Sequence, residues 1–271
     1  MLCFPNAKIN IGLNIVERRN DGFHNIETIF YPIPLCDALE VISADKTTFT
    51  ISGIAIPDAI ENNLVMRAYQ MIKADFDLPE LSIYLHKNIP LGAGLGGGSS
   101  DAASMIMLLN DSYSLNLTNE QMEKYASVLG SDCSFFIRNQ PAFATQRGEI
   151  LQPVELTLDS YLLVVIKPSI HISTREAYHA ITPRKVDVSV NELVKNPIDT
   201  WEKTIHNDFE PVMFSKFPFL HDLKTILYSQ GAIYASMSGS GSALYGFFPP
   251  NAKPEFNIDG CFVWSHTFNF K

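Results

Sequence analysis

The sequence predicts an α+β protein of two domains, and three patterns indicate this class. Residues 7–16 alternate apolar and polar side chains, as a half-buried strand does, and residues 161–166 form the continuous apolar run of a strand buried on both faces. A glycine-rich loop separates a strand pattern from a helix pattern near residue 95. Strands with helices grouped between them favour α+β layers. Near residue 155 a stretch of alternating polar residues gives way to an apolar run, and this change predicts domains 1–155 and 156–271.

Two further strands and a strand-turn-strand unit follow from the same periodicity. Residues 26–33 and 81–86 alternate like strands, and the first of them follows a polar turn at 18–22. Residues 235–248 predict two strands joined around Gly239 and Gly241.

Helices are predicted where apolar residues recur at helical spacing. The first covers residues 62–74 and has Asn62 or Asn63 at its start. Thr118 and Gln121 fit a capping box that opens a second helix, which ends before Gly130. Further helical patterns cover residues 102–109 and 220–229.

Composition narrows the class of protein. The chain has 271 residues, 46% of them hydrophobic, which is enough for one large core or two medium ones. Its four cysteines form no C-x-x-C pair, which argues against a zinc site or a redox motif and predicts reduced thiols in the cytoplasm. The formal charge of -9 disfavours nucleic-acid binding. We expect neither a signal peptide nor a membrane span.

The stretch Pro90–Ala103 carries the strongest chemical signal, because five glycines lie within seven positions and run into two serines. Glycines this dense suit a backbone that approaches a ligand closely. The helix pattern that follows places amide groups at a helix N-terminus, where they hold phosphate. The loop therefore predicts a phosphate-binding site.

Other interpretations of this loop are weaker. Gly92, Gly94 and Gly97 satisfy the dinucleotide fingerprint G-x-G-x-x-G, but Pro90 interrupts the preceding strand. Glu120, at the spacing of about 20 residues where a dinucleotide fold needs an acid, lies in a helix pattern instead. No Lys-Ser or Lys-Thr follows the glycines, so a Walker loop does not fit. A glycine-rich turn without a ligand is the remaining alternative.

Two charged residues are candidates for chemistry. Asp132 lies in a short polar turn between a helix and an apolar segment, where a carboxylate can accept a proton or simply cap a helical turn. Lys8 lies beside Asn10 on the polar face of the first strand, where an ammonium can stabilise an anion or merely be solvated. Spacing alone leaves both choices open.

Five motifs resemble those of the GHMP kinases, the superfamily of galactokinase, homoserine kinase and mevalonate kinase. The loop P-x-G-x-G-L-G-G-G-S-S-x-A-A resembles the family's nucleotide loop, and its triple glycine resembles the branch that acts on 4-diphosphocytidyl-2-C-methyl-D-erythritol in the non-mevalonate isoprenoid pathway. Pro-Asn-Ala-Lys-Ile-Asn resembles the family's N-terminal signature, and Asp-Gly-Phe-His resembles its Asp-Gly-Tyr-His. Gly-Ser-Asp-Cys-Ser-Phe-Phe resembles its Gly-(Ala or Ser)-Asp-Val-Pro-Phe-Phe. The glycine motif at 236–246 is similar to the family's C-terminal one.

This resemblance implies an S5-like N-terminal domain, a ferredoxin-like C-terminal domain and an ATP-dependent kinase. It implies Asp132 as general base with Lys8 as its partner. The implied ATP-side residues are Asn63, Lys87, Pro90, Gly92, Gly94, Leu95, Gly96, Gly97, Gly98, Ser99 and Ser100. The implied substrate-side residues are Asn10, Phe23, His24, Tyr178, Ser238, Gly239, Ser240 and Gly241.

The implied cofactors are ATP and Mg²⁺, although no acidic cluster identifies the metal ligands. The protein is expected to be a cytoplasmic monomer or weak homodimer that binds neither nucleic acid nor membrane. The alternatives are a homoserine- or mevalonate-type GHMP kinase and a non-catalytic nucleotide-binding protein of the same fold. Asp-Gly-Phe-His favours an acceptor that carries a base, because an aromatic ring can stack on a base.

Overall fold

The computed structural model of the chain describes residues 1–57 and 60–268. Contacts divide the chain into two compact units, each built from separate stretches. Unit 1 contains Met1–Lys8, Pro32–Leu91 and Gly96–Gln140, and unit 2 contains Ile9–Tyr31, Gly92–Leu95 and Pro141–Lys271. These units are not the continuous halves 1–155 and 156–271, because residues 9–31 make their contacts with the C-terminal part. The functional halves themselves stay a prediction.

The mixture of strands and helices confirms the predicted α+β class. The strands are β1 (Leu2–Cys3), β2 (Asn6–Arg18), β3 (His24–Cys36), β4 (Ala38–Ser43), β5 (Thr48–Gly53), β6 (Leu81–Lys87), β7 (Ala142–Gln146), β8 (Ile150–Pro153), β9 (Leu162–Pro168), β10 (Tyr234–Met237), β11 (Leu244–Phe248) and β12 (Cys261–Thr267). The helices are α1 (Leu64–Asp75), α2 (Gly97–Ser112), α3 (Asn119–Leu129), α4 (Phe135–Arg138), α5 (Thr174–His179), α6 (Val190–Leu193), α7 (Trp201–Thr204), α8 (Glu210–Lys216) and α9 (Pro218–Ser229).

Unit 1 combines one sheet with a group of helices. The strand order is β1-β4-β6-β5, in which β5 and β6 are parallel and the other pairs are antiparallel. Leu81, Ile83 and Leu85 alternate along β6 and are buried, as the period of a strand with one covered face requires. Helices α1, α2 and α3 pack against one another, and α2 also contacts β4.

Unit 2 contains an antiparallel sheet in the order β10-β11-β9-β12. Read across the sheet, the strands are the second, third, first and fourth of these four strands in the chain. This is the ferredoxin-like arrangement expected of this part of the chain. Helix α9 buries Leu220, Leu223 and Leu227 at helical spacing in the core that this sheet also lines. A second sheet has the order β2-β3-β7-β8.

The predicted helix starts are confirmed where a capping side chain marks them. The Oδ1 atom of Asn63 accepts from the Val65 amide at 2.9 Å, so α1 begins at Leu64. Helix α2 begins earlier than predicted, at Gly97, because Gly97 and Gly98 already have helical conformation inside the glycine run. No helix in the described stretches is long and apolar enough to cross a membrane.

Replacing Thr118 by alanine tests the capping box of α3. The Thr118 Oγ1 accepts from the Gln121 amide at 3.3 Å, and the Gln121 side chain accepts from the Thr118 amide at 2.8 Å. Thr118→Ala should lower the free energy of unfolding by about 1 kcal/mol, measured by urea titration. Ser127→Ala, on the same helix but away from its start, is the control. Equal losses in the two variants would contradict the capping role.

Candidate active site

The shape of the glycine loop depends on left-handed backbone conformation at every second residue from 92 to 96. Gly92, Gly94 and Gly96 have φ of 56°, 75° and 72°, a region that strains any residue with a side chain. Gly96 precedes the first turn of α2, so the amides at the start of this helix have no carbonyl of the same helix to bind. They are donors available for an anion such as phosphate.

Close packing explains several of the glycines. A Cβ on Gly97 would lie 2.9 Å from Ile89, and one on Gly96 would lie 2.9 Å from the Phe136 ring and 3.1 Å from the Lys8 side chain. Gly98 is different, since its nearest neighbour would be Leu64 at 3.9 Å. Glycine is therefore required by contact at 96 and 97, whereas at 98 this space would admit a methyl group. Ser100 is buried in this loop. Pro90, Leu95 and Ser99 are the other residues of the loop that were predicted to lie on the ATP side.

Lys8 and Asp132 form an ion pair in unit 1. The Lys8 Nζ lies 3.3 Å from the Asp132 Oδ2, and the Lys8 side chain is 3% exposed whereas that of Asp132 is 33% exposed. The structure thus brings together the two charged residues that the motifs single out, although they are far apart in sequence. A carboxylate that is partly open to solvent and held by a buried ammonium can accept a proton from a bound hydroxyl.

The turn that carries Asp132 has a backbone angle at Ser134 that proline could also adopt. Ser134 stands where the family motif has proline, and its φ of -61° is close to the value that a proline ring imposes. The Ser134 hydroxyl donates to the Glu123 carbonyl at 3.1 Å, which ties the turn to α3. Cys133 is fully buried, and burial raises the pKa of its thiol to about 11. The cysteine is therefore an apolar filler of this turn.

Lys87 lies in a buried cluster of charged side chains in unit 1. Its ammonium is buried between Asp37, with which it forms an ion pair, and Asp101, whose Oδ2 lies 2.7 Å away. Asp37 also accepts from the amides of Asn88 and Ile89 at 2.6 and 2.8 Å. In this structure Lys87 therefore holds the chain that leads into the glycine loop. Its contact with ATP remains a prediction.

Sequence reasoning did not find Asp37 or Asp101. Asp37 lies between the ends of β3 and β4, where a polar residue is typical of any turn. Asp101 follows Ser100 in the glycine motif, which was its only signal. Burial raises the pKa of Asp101 to about 7 from an ordinary value of 3.8, opposed by the Lys87 ammonium and reinforced by the Asp37 carboxylate. In the described part of the chain its Oδ1 has no hydrogen-bond partner.

Asn10 and Ser238, two of the residues predicted to lie on the substrate side, are hydrogen-bonded to each other in unit 2. The Asn10 Nδ2 donates to the Thr28 hydroxyl at 3.0 Å, and the Asn10 Oδ1 lies 3.3 Å from the position that a Gly239 Cβ would take. Ser238 accepts from the Asn10 amide at 3.1 Å and donates to the Gly94 carbonyl at 2.9 Å. The Ser238 hydroxyl thus links the two glycine-rich stretches of this unit. Its predicted contact with substrate stays a prediction.

The loop after β10 is as constrained as the first glycine loop. Gly239 and Gly241 have φ of 57° and 92°. Ser240 is 8% exposed, and its hydroxyl lies 3.2 Å from that of Thr174. Small residues and left-handed backbone let this loop pack closely, and its residues are buried.

The aromatic residues predicted to hold a base lie in unit 2. Phe23 is 53% exposed, and the Arg147 guanidinium lies 4.9 Å from the centre of its ring. His24 and Tyr178 are stacked, with ring centres 5.2 Å apart and planes inclined by 27°. Burial lowers the pKa of His24, helped by the nearby Arg18 and His179, so the imidazole is neutral at pH 7. A base sandwich of Phe23 and Tyr178 remains a prediction.

The metal ligands stay unidentified. Among the residues that the structure describes, no three His, Cys, Asp or Glu side chains are grouped as a metal site. Asp101 is already bound by Lys87, and Asp132 by Lys8. The described residues thus provide no three-ligand protein site, whereas Mg²⁺ beside ATP usually takes one or two carboxylates together with phosphate oxygens.

Replacing Asp101 by asparagine tests the buried charge. The folded state binds the Asp101 proton more tightly than the unfolded state, so between about pH 4 and pH 7 the wild type loses stability as the pH rises. Asparagine does not titrate. The stability of Asp101→Asn relative to wild type should therefore improve from pH 5 to pH 8 in urea titrations. Asp111→Asn, on the exposed part of the same helix, is the control. A difference that is independent of pH would refute the assignment.

Gly94→Ala tests the close approach of the two glycine-rich stretches. A Cβ on Gly94 would lie 2.0 Å from the Ser238 carbonyl oxygen. Gly231→Ala is a matched control, because its φ of +94° is also left-handed but a Cβ there would meet no atom within 4 Å. The control should lose about 1–2 kcal/mol from backbone strain, and Gly94→Ala clearly more, in thermal unfolding. Equal losses would exclude the contact.

Comparison with known proteins agrees with this geometry. The sequence model described as "GHMP kinases N terminal domain" matches residues 63–146, and "GHMP kinases C terminal" matches residues 189–256. A curated 4-diphosphocytidyl-2-C-methyl-D-erythritol kinase of Bacteroides fragilis is 49% identical over 269 residues, which are 97% of this chain and 98% of that protein. The protein of the same name from Azobacteroides pseudotrichonymphae is 52% identical over 258 residues, 94% and 96% of the two chains.

Solved structures give the same result for the fold. The crystal structure of a 4-(cytidine 5'-diphospho)-2C-methyl-D-erythritol kinase superposes with a TM-score of 0.79 at 32% identity, covering 91% of this chain and 89% of that one. A homoserine kinase from Cytophaga hutchinsonii superposes with a TM-score of 0.69 at 16% identity, covering 98% and 95% of the two chains, which shows the fold alone. The chain belongs to the 4-diphosphocytidyl-2-C-methyl-D-erythritol kinase family of the GHMP kinases.

Proposed function

We propose that this protein transfers the γ-phosphoryl group of ATP to the 2-hydroxyl of 4-diphosphocytidyl-2-C-methyl-D-erythritol, in the non-mevalonate route to isoprenoid precursors. Family membership supports the substrate and the donor. The single observation that carries the chemistry is the ion pair of Lys8 and Asp132, with 3.3 Å between Nζ and Oδ2. A proton acceptor and a cation side by side are what transfer to a hydroxyl requires.

In the proposed reaction the acceptor hydroxyl loses its proton to the Asp132 carboxylate. Its oxygen forms a bond to the γ-phosphorus as the bond between that phosphorus and the β,γ-bridging oxygen breaks, and ADP leaves. The Lys8 ammonium stabilises the negative charge that develops on the attacking oxygen. Because Lys8 is 3% exposed, little water competes for its charge.

ATP binds in this proposal through the first turn of α2, where the amides after Gly96 point at the phosphates. Mg²⁺ is implied by the family resemblance and would accompany ATP, where it would supply positive charge to the phosphate oxygens.

The cytidine end of the substrate is assigned to the aromatic residues of unit 2. The half-exposed Phe23 ring offers a face for stacking, and the neutral His24 can accept or donate a hydrogen bond at a pyrimidine edge. Phe23 keeps the stacking face of the family's tyrosine and lacks its hydroxyl.

We assign the protein to the cytoplasm as a monomer or weak homodimer without a nucleic-acid partner. All four cysteines are free, as a reducing compartment favours. The formal charge of -9 opposes attraction to a nucleic-acid backbone.

Asp132→Asn tests the mechanism. The amide cannot accept the hydroxyl proton, so turnover should fall roughly a hundredfold or more, while ATP binding is nearly unchanged. Coupled ADP release measures turnover, and calorimetry measures ATP binding. Asp45→Asn, an exposed aspartate of the same unit, is the control and should keep the wild-type rate. A near wild-type rate in Asp132→Asn would remove Asp132 from the mechanism.

ATP consumption by the wild type with the cytidine-linked substrate, homoserine and mevalonate tests the substrate. We expect turnover of the first alone. Turnover of only homoserine or mevalonate would overturn the substrate assignment and leave the kinase assignment intact.

A further inference from the structure

A buried asparagine outside every predicted motif holds the C-terminal glycine loop. Asn207 is 1% exposed and follows α7 in the chain. Its Nδ2 donates to the carbonyls of Met237 and Gly239 at 2.7 and 2.8 Å, and its Oδ1 accepts from the Phe209 amide at 2.9 Å. A carboxamide has two N–H donors and one oxygen, so its donors and its acceptor are all used.

The two carbonyls lie at the start of the loop, at the end of β10 and at Gly239. Gly239 has left-handed backbone conformation and no side chain that could hold it in place. Backbone bonds within the loop are few: the Ser238 amide donates to the Ala243 carbonyl at 2.9 Å, and the Gly241 amide to the Ser238 carbonyl at 3.0 Å. The Asn207 amide therefore acts together with the hydroxyls of Ser238, Ser240 and Ser242, which also bond outside the loop, to fix the path of this loop.

Asn207 is itself fixed to the strand that carries Asn10. The Leu13 amide donates to the His206 carbonyl at 2.9 Å, and the Asp208 amide donates to the Leu13 carbonyl at 2.8 Å. The Asp208 carboxylate also accepts from the Ile15 amide at 2.8 Å. Asn207 thus lies between two residues that are bonded to β2. It transmits the position of that strand to the loop.

We propose that Asn207 is a positioning residue, which sets the loop around Gly239 relative to β2 so that the loop amides and Asn10 meet the substrate together. This inference rests on the proposed function. Asn207 touches no substrate atom in this proposal and acts through the loop. Its loss leaves two buried carbonyls without their donor, and the loop must shift or admit water to satisfy them.

Two variants test the proposal, Asn207→Asp and Asn207→Ala, because neither can donate to the two carbonyls. We expect KM for the cytidine-linked substrate to rise about tenfold, with KM for ATP unchanged. Hydrogen-exchange mass spectrometry should show faster deuterium uptake in peptides covering residues 237–243, with the other peptides of unit 2 unchanged.

Tyr234→Phe is the matched control. Tyr234 is equally buried in the same unit, and its hydroxyl bonds the Ile205 carbonyl at 3.4 Å, away from the loop. It should lower stability slightly and leave both KM values and loop exchange unchanged. If Tyr234→Phe raised KM and loop exchange as much as the Asn207 variants, the effect would be one of stability alone and the proposal would fail.

The wild type provides a measurement that does not require a variant to fold. The two Asn207 side-chain amide protons should exchange slowly in NMR spectra, since both are donated to buried carbonyls, and their resonances should shift when substrate binds. Rapid exchange of these protons would overturn the proposal.

The inference and the proposed function fail separately. A wild type that does not phosphorylate the cytidine-linked substrate refutes the proposed function. Unchanged loop exchange in both Asn207 variants refutes the positioning role, whatever the substrate is.

Discussion

The ion pairs of the buried Lys87 ammonium are the interactions on which the glycine loop depends. It joins Asp37 between β3 and β4, the end of β6, and Asp101 in α2. Asp37 also holds two successive amides on the way into the loop. Removing three charges from water is costly, and the cost is offset only while each charge keeps its partners. Losing one partner of a buried pair costs about 3–5 kcal/mol, so this cluster specifies one arrangement of the loop.

Exposure distinguishes the proton acceptor and the stacking ring from the residues that hold backbone in place. Those backbone-holding residues are almost fully buried: Lys87 and Asn207 are each 1% exposed, and Ser238 is completely covered. Among the groups assigned to chemistry and recognition, Asp132 and Phe23 are open at 33% and 53%, whereas Lys8 is buried at 3%. Burial makes hydrogen bonds stronger and their loss more costly, which suits residues that position a loop. A proton acceptor and a stacking ring must instead remain accessible to ligand.

Residues that differ from the family motifs are accommodated by their immediate surroundings. Ser134 replaces a proline with nearly the same φ and adds a hydrogen bond to α3. Cys133, next to it, fills buried space and has a thiol whose pKa is raised by that burial. A residue of the motif can therefore be replaced by another that has a similar backbone angle and fills the buried space. The carboxylate of Asp132 still pairs with Lys8.

The sequence by itself determined the class of fold and several of its elements, and its resemblance to the GHMP kinases implied the pair Lys8 and Asp132. Strand alternation, the Asn63 cap and the capping box at Thr118 are local signals, because each depends on residues a few positions apart. Only the tertiary structure decided what Lys87 and Asn207 bind. The partners Asp37 and Lys87 are separated by 50 residues, and Asn207 lies 30 residues from the Met237 carbonyl. Such contacts depend on the path of the whole chain, and a lone polar residue in a turn carries no sign of its distant partner.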